Sequence, residues 1–372
     1  MAKPPRETGE RFMRQALELA ARAERPPYPN PWVGCVMVRG GEVIGQGWHR
    51  GPGTNHAEIE ALARAGPRAR GATLYVTLEP CSHYGRTPPC TQAILDAGIR
   101  EVIYAIPDPN PHVSGSGGRI LQRRGVRVRS GMCQAEASAL NEVYLKYCKT
   151  RLPFVTVKTA ASLDGKIATR SGESKWITGE AARAEARKLR ATHQAVLAGI
   201  KTVLADDPHL GPRLAGAAEP QRVVLDSHLR TPVRSQVVQS GRCVVACTEA
   251  ADRVREFRLT KAGAQVWRFP GSEVPLGKLL QRLAREGIIS VLVEGGSEVL
   301  GSFFDSGHVD RVFWFLSPII LGSAESKSAV AGEGAARLTS AWRLRQASIQ
   351  SIEDSFLLTG NVSEWALAKA EL

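Results

Sequence analysis

The sequence predicts two α/β domains in tandem, joined by a short linker at residues 149–153. Three observations carry this. The chain's 372 residues exceed what one hydrophobic core usually serves. Short apolar runs alternate with helical stretches, the pattern of sheets covered by helices. The densest set of chemically active side chains, between residues 56 and 90, has no second copy after residue 153, so the second half is a different kind of domain rather than a duplicate. The domains are expected at 1–148 and 149–372.

Residues 10–25 read as a helix, with Phe12, Ala16, Leu19 and Ala20 at helical spacing. The run Pro26-Pro27-Tyr28-Pro29-Asn30-Pro31 ends it, because proline lacks the N–H and restricts its predecessor. Residues 33–38 and 43–48 read as strands around a Gly40-Gly41 hairpin turn. A helix opens at Thr54-Asn55-His56-Ala57-Glu58 and stops at Gly66-Pro67. Residues 72–78 form a strand ended by Glu79-Pro80-Cys81, and Cys90 opens a helix over 91–97. Arg119, Arg123, Arg124, Arg127 and Arg129 fit a solvated helix face followed by a strand, and a helix over 135–147 closes the first domain.

The second half opens with a strand at 154–161, an Asp164-Gly165 turn, an outward strand at 166–169 and a helix at 180–191 that is basic on its exposed side. Short apolar strands follow at 195–199, 222–225, 244–247 and 266–269, then a helix at 276–286 and a buried strand at 289–293. Glu294-Gly295-Gly296-Ser297 leads into a helix at 299–306 and a strand at 309–316. This alternation argues for a largely parallel sheet. The tail, 333–372, carries no legible chemistry and is expected to add edge strands at 349–352 and 356–359.

His56, Cys81 and Cys90 offer one imidazole and two thiols, and Glu58 a carboxylate free to move protons. That is the donor set of a catalytic zinc site that hydrolyses an amino group off a ring. Residues two apart inside a helix point to different sides, so His56 and Glu58 serve one site only if it lies off the helix start. Asn55 with Glu58 also resembles a capping box, which would make His56 incidental. Cys90 at a helix start is biased toward thiolate. Three ligands leave a position for water, whereas a closed structural site would need a fourth, with His49 or His83 available. Glu294-Gly295-Gly296 between a strand and a helix suits close approach of a phosphate, or is simply a turn.

Basic residues exceed acidic ones by 13, which suits phosphorylated ligands or a nucleic acid. The aromatic residues do not interleave with the arginine cluster, so no base-stacking platform is suggested. Seven cysteines without a disulfide-like pattern, no apolar run of roughly 18 residues and a charged start at residues 1–14 lead to the expectation of a cytoplasmic protein without a membrane partner.

His56-Ala57-Glu58 with Pro80-Cys81 resembles the cytidine-deaminase-like superfamily, in which two residues usually separate the cysteines. Here eight do, and the segment from Glu79 to Cys90, with Pro29-Asn30-Pro31, Val33-Gly34-Cys35 and Asp108-Pro109-Asn110-Pro111, is similar to the deaminase of riboflavin biosynthesis. Ala161-Ser162-Leu163-Asp164-Gly165-Lys166, Ser174-Lys175-Trp176-Ile177-Thr178, Thr202-Val203-Leu204-Ala205-Asp206-Asp207-Pro208 and Val293-Glu294-Gly295-Gly296 resemble the reductase half of the same bifunctional family.

The resemblance implies a cytidine-deaminase-like α/β/α domain followed by a dihydrofolate-reductase-like α/β domain. It implies zinc-dependent deamination of a diaminopyrimidinone carrying a phosphoribosylamino group, then NADPH-dependent reduction of the ribosyl group to ribityl once ring opening exposes an aldehyde. By position, Asn30, His83 and Arg86 contact the first substrate, and His49 faces that pocket. Ala160, Trp176, Thr202, Asp206 and the segment Gly296, Ser297, Glu298, Val299, Leu300, Gly301 and Ser302 contact NADPH. Ser174, Arg190, Leu210, Arg213 and Glu294 contact the second substrate, with Arg190 and Arg213 as phosphate clamps. The loop 214–221 is shorter than in the family, a departure that bears on Leu210. A homo-oligomer acting on a phosphorylated pyrimidine, with no nucleic-acid partner, is expected. The alternatives are a nucleic-acid-editing deaminase and a binding module stapled by zinc.

Overall fold

The structure, a computed structural model, describes residues 6–83, 88–110 and 115–362; Arg86 and Pro111 lie outside them. It divides into two compact units, with the chain passing from one to the other between Arg151 and Leu152.

The first unit runs α1 (Arg6–Ala20), β1 (Gly34–Arg39), β2 (Glu42–Trp48), α2 (Ala57–Ala65), β3 (Thr73–Leu78), α3 (Cys90–Asp96), β4 (Glu101–Ile106), α4 (Ser116–Arg123), β5 (Arg127–Ser130), α5 (Gln134–Leu140) and α6 (Glu142–Thr150). The strands form one sheet in the order β2-β1-β3-β4-β5. β1 is antiparallel to both neighbours, while β3, β4 and β5 are parallel. Ala57, Ala61, Ile94 and Leu121 pack helices α2, α3 and α4 on one face. Phe12, Met13, Ala137 and Tyr144 pack α1, α5 and α6 on the other. This is the α/β/α layering expected, and it explains why all six residues of β3 are buried although only three alternate as a one-faced strand would.

Two local expectations fail here. The helix over 135–147 is two helices broken at Asn141, whose Oδ1 accepts the Trp32 N–H at 2.8 Å and whose Nδ2 donates to the Trp32 carbonyl at 2.9 Å. A side chain that bonds a distant backbone leaves its own helix locally. The linker is only Arg151, Leu152 and Pro153, because α6 continues through Thr150.

The second unit comprises β6 (Phe154–Ser162), α7 (Glu180–Thr192), β7 (Ala195–Gly199), α8 (Ile200–Asp206), β8 (Gln221–Leu225), α9 (Gln236–Gln239), β9 (Cys243–Thr248), α10 (Arg253–Lys261), β10 (Gln265–Phe269), α11 (Leu276–Arg285), β11 (Ser290–Val293), α12 (Ser297–Asp305), β12 (Arg311–Ser317), β13 (Arg345–Ile352) and β14 (Ser355–Asn361). One sheet in the order β10-β9-β8-β7-β11-β6-β12-β14-β13 holds all nine strands. It is parallel from β10 to β12, and the final hairpin is antiparallel. Leu279, Leu283 and Phe303 pack α11 and α12 on one face, and Val203, Val237 and Leu259 pack α8, α9 and α10 on the other. The outward strand expected at 166–169 is reduced to one bridge, Lys166 to Ser328. Helices α8, α9 and α10 answer to none expected from the sequence. No helix among the described residues is long and apolar enough to cross a membrane.

Candidate functional site

In the first unit, the site lies where β3 ends and α2 and α3 begin. His56 is the N-cap of α2, with extended backbone (φ −71°, ψ 157°), and Cys90 is the first residue of α3. Cys81 follows the end of β3. His56 Nδ1 lies 3.1 Å from Cys90 Sγ and 3.5 Å from Cys81 Sγ, and all three donor atoms fall within 4.8 Å of one another. No other such group of three occurs among the described residues. An imidazole and two sulfurs this close fit one zinc ion.

The two thiols of the cluster titrate as a pair. The Cys90 thiol, the His56 ring and the Cys90 backbone N–H, at 3.3 Å, all stabilise charge on Cys81 and push its pKa down. Cys90 is pushed up by its partnership with Cys81 and by burial, and the Glu58 carboxylate facing it adds to this. A zinc ion takes both sulfurs as thiolates, so this split does not rank them as ligands.

Glu58, the second residue of α2, is 4% exposed and outside the three-donor group. Burial, helped by the charge on Cys81, raises its carboxyl to about 7. A carboxyl poised near neutrality can take and return a proton in one catalytic cycle.

His49 is not a fourth donor. Its Nδ1 bonds the Asn55 carbonyl at 3.1 Å and its Nε2 meets the Asn30 amide nitrogen at 2.9 Å. Burial lowers its pKa, so the neutral ring holds Asn30 in place. His83 is exposed and outside the donor group. The expected contact at Arg86 falls outside the described residues.

In the second unit, two cavities of about 710 and 390 Å³ share Lys158, Ala160, Ile167, Ser174, Thr202, Asp206 and Glu294. The larger is also lined by Trp176, Arg190, Leu210 and Arg213, and the smaller by residues 296–300. Most residues assigned by resemblance therefore converge. Gly301 and Ser302 do not line either cavity. A Cβ on Gly301 would lie 1.9 Å from the Ala331 carbonyl oxygen, and Ser302 Oγ donates to the Glu298 carbonyl at 3.0 Å. Trp176 lines the larger cavity only and is no core residue: it is 68% exposed, with the Arg183 guanidinium 4.5 Å from its ring centroid. Leu210 is buried among Val203, Leu229 and Val237.

Arg190 is held in place by its neighbours. Its Nε and Nη2 donate to the two Glu294 oxygens at 2.6 and 2.7 Å, and its Nη1 donates to the Gly211 carbonyl at 3.1 Å. Three of the guanidinium's five N–H donors are engaged, which orients Glu294 and leaves two for a ligand in the larger cavity. Burial alone would raise the Glu294 pKa, but Arg190, with Lys158 and His193, more than offsets it and holds the carboxylate below its ordinary value. Gly296 has φ 74° as the N-cap of α12, a backbone state that favours glycine.

Lys158 is a candidate site residue that the sequence did not single out. It lines both cavities, and burial lowers its pKa despite the nearby Glu294. The available signal was one charged residue inside the otherwise uncharged strand β6.

Residues 6–106 match the cytidine and deoxycytidylate deaminase zinc-binding region, and residues 153–358 match the RibD C-terminal domain. The chain is 42% identical over 353 residues to the riboflavin biosynthesis protein RibD of Bacillus amyloliquefaciens, covering 94% of this chain and 95% of that one. It is 42% identical over 328 residues to that of Escherichia coli, covering 84% and 89%. Acinetobacter baumannii RibD has a similar structure, with TM-score 0.88 and 36% identity, covering 96% of this chain and 100% of that one. The Thermotoga maritima diaminohydroxyphosphoribosylaminopyrimidine deaminase/5-amino-6-(5-phosphoribosylamino)uracil reductase follows at TM-score 0.82 and 34% identity, covering 96% and 99%. With a zinc-binding deaminase region ahead of a reductase domain, and such relatives along nearly its whole length, the chain belongs to the RibD family of bifunctional riboflavin-biosynthesis enzymes.

Proposed function

We propose that the two reactions of this family are carried here by residues 1–148, which deaminate, and residues 149–372, which reduce. The enzyme uses zinc and NADPH. The observation that carries the reading is the convergence of His56, Cys81 and Cys90 beside a buried Glu58.

His56, Cys81 and Cys90 would hold zinc, which supplies the Lewis acidity that makes water nucleophilic near neutral pH. Glu58 takes a proton from the attacking water and delivers it to the departing amino group. A ring C–O bond forms, the C–N bond breaks and ammonia leaves. Asn30, fixed by His49, orients the pyrimidine. His83 and Arg86 make the remaining contacts, Arg86 with the phosphate.

NADPH supplies the reducing equivalent for the second step as hydride. The carbon to be reduced bears nitrogen, so opening the ribosyl ring produces a protonated imine rather than the expected aldehyde. The ring C–O bond breaks, the freed oxygen takes a proton and the carbon accepts hydride. Lys158, between the two cavities, donates that proton, since burial makes its ammonium more acidic. Glu294, held by Arg190, orients the sugar hydroxyls. Arg213 binds the phosphate, while Ser174 and Leu210 complete the substrate cavity. Ala160, Thr202, Asp206 and residues 296–300 contact NADPH, with Trp176 at the rim.

The substrate is a phosphorylated pyrimidine, and the basic balance of the chain suits it. We read the enzyme as a cytoplasmic homo-oligomer; the edge strand β13, with Ile349 65% exposed, supports pairing between copies. A nucleic-acid target is disfavoured by the reductase domain, which such an editing enzyme has no use for.

The test is NADPH oxidation, followed by absorbance, with the full chain and the diaminopyrimidinone ribosyl phosphate. Oxidation should stop on zinc chelation and resume when the deaminated intermediate is supplied. No oxidation with either substrate would overturn the reductase assignments.

A further inference from the structure

Glu79 is the residue at which β3 leaves the sheet, two before Cys81. Neither chemical step uses it, yet it is 3% exposed. A buried carboxylate is costly unless its oxygens are bonded. Here Oε1 accepts the Gly118 backbone N–H at 2.9 Å, and Oε2 accepts those of Gly115 at 3.0 Å and Asp108 at 3.3 Å. Gly115 is the N-cap of α4 and Gly118 lies in its first turn. Helix starts carry N–H groups without intrahelical partners, and a carboxylate there is favoured by charge as well. The third donor tethers the turn after β4, where Asp108 Oδ1 accepts the Tyr144 hydroxyl at 2.8 Å and the Asn110 N–H at 2.9 Å.

Two further contacts tie the same joint. A Cβ on Gly117 would lie 2.0 Å from the Pro80 carbonyl oxygen, so the backbone of α4 rests directly on the residue before Cys81. Ser82 Oγ lies 2.5 Å from Ser116 Oγ, holding the residue after it.

We propose that Glu79 is a positioning residue of the deaminase site: by bonding the first turn of α4 and the Asp108 turn, its carboxylate fixes where Cys81 presents its sulfur. The inference rests on reading His56, Cys81 and Cys90 as the zinc ligands. All three partners of the carboxylate are donors, so the role requires two acceptor oxygens. Glu79→Gln keeps the shape but turns an NH₂ group against a backbone N–H.

The test is zinc competition between the full-length protein and a chromophoric chelator. Glu79→Gln should bind zinc about 10- to 100-fold more weakly, the range for groups that orient a metal's ligands. Excess zinc should restore its deamination, which a general folding defect would not allow. Reduction of the deaminated intermediate should be unchanged. Zinc affinity within twofold of the parent overturns the proposal. Cys81→Ala in the same titration separates the two layers, because tight zinc binding retained there sinks the ligand reading itself. If Glu79→Gln does not fold, Ser82→Ala loosens the same joint by one hydroxyl. Severalfold weaker zinc binding is expected, and unchanged binding overturns the proposal.

Discussion

The two sites of this chain are built on opposite plans. The deaminase site gathers three donor atoms within 4.8 Å from residues 56, 81 and 90, with Glu58 beside them. The reductase site is spread from Lys158 to Lys327 around two cavities that share seven residues. In the first, function resides in a few side chains of uncommon chemistry. In the second, it resides in a shape made by strand ends, and most of the lining side chains are of types found on any surface. A metal-assisted hydrolysis needs specific donors at one point, whereas hydride transfer needs two ligands held face to face.

The contrast is tested most severely at Glu58. Glu58→Gln should lower deamination by about 10²- to 10⁴-fold, the span of general acid–base catalysis, measured as ammonia release. Zinc content by atomic absorption should stay at the parent level, and reduction of the deaminated intermediate should be unaffected. If both activities fell together, the sites would not be independent.

A smaller effect is expected at Lys158. Lys158→Gln should slow reduction about 10²-fold, with NADPH binding, read by fluorescence, largely retained and ammonia release unchanged. Undiminished reduction would mean that the reductase site has no single proton donor, and the difference between the two plans would be sharper still.

Much of the first site was legible in the sequence because its signals are local. His56 and Glu58 straddle a helix start, and that start is where the structure puts them. The Gly40-Gly41 turn joins β1 and β2 as expected, with both glycines at positive φ. What escaped the sequence depends on partners far along the chain. Asn141 breaks its helix for Trp32, 109 residues away. Arg190 meets Glu294 across 104 residues, a pairing that no local signal reveals. Lys158 stands out only once both faces of β6 are seen to be covered. The coupling between Cys81 and Cys90 likewise follows from neighbours that no helix position announces.

His193 provides the mildest test, and it asks whether a displaced pKa marks a site at all. Burial pushes this histidine from 6.5 down to about 4. Its Nδ1 meets the Leu189 carbonyl at 2.7 Å and its Nε2 the Thr156 hydroxyl at 2.9 Å. It lines neither cavity. The neutral ring is therefore part of the scaffold between α7 and β6. Unfolded, the ring takes up a proton as pH falls through 6.5; folded, it resists until about 4. Between those values the unfolded chain binds more protons, so its contribution is fully present above 6.5 and is lost as pH falls toward 4. His193→Gln keeps a hydrogen-bonding side chain and removes the titration. The parent's urea midpoint for the reductase unit should fall more steeply than the variant's between pH 7 and 4.5, while both activities at neutral pH stay at parent levels. Equal slopes would place the acid sensitivity elsewhere. Glu58 and His193 are both displaced by burial, but only Glu58 faces a cluster of donors, and that geometry identifies the site.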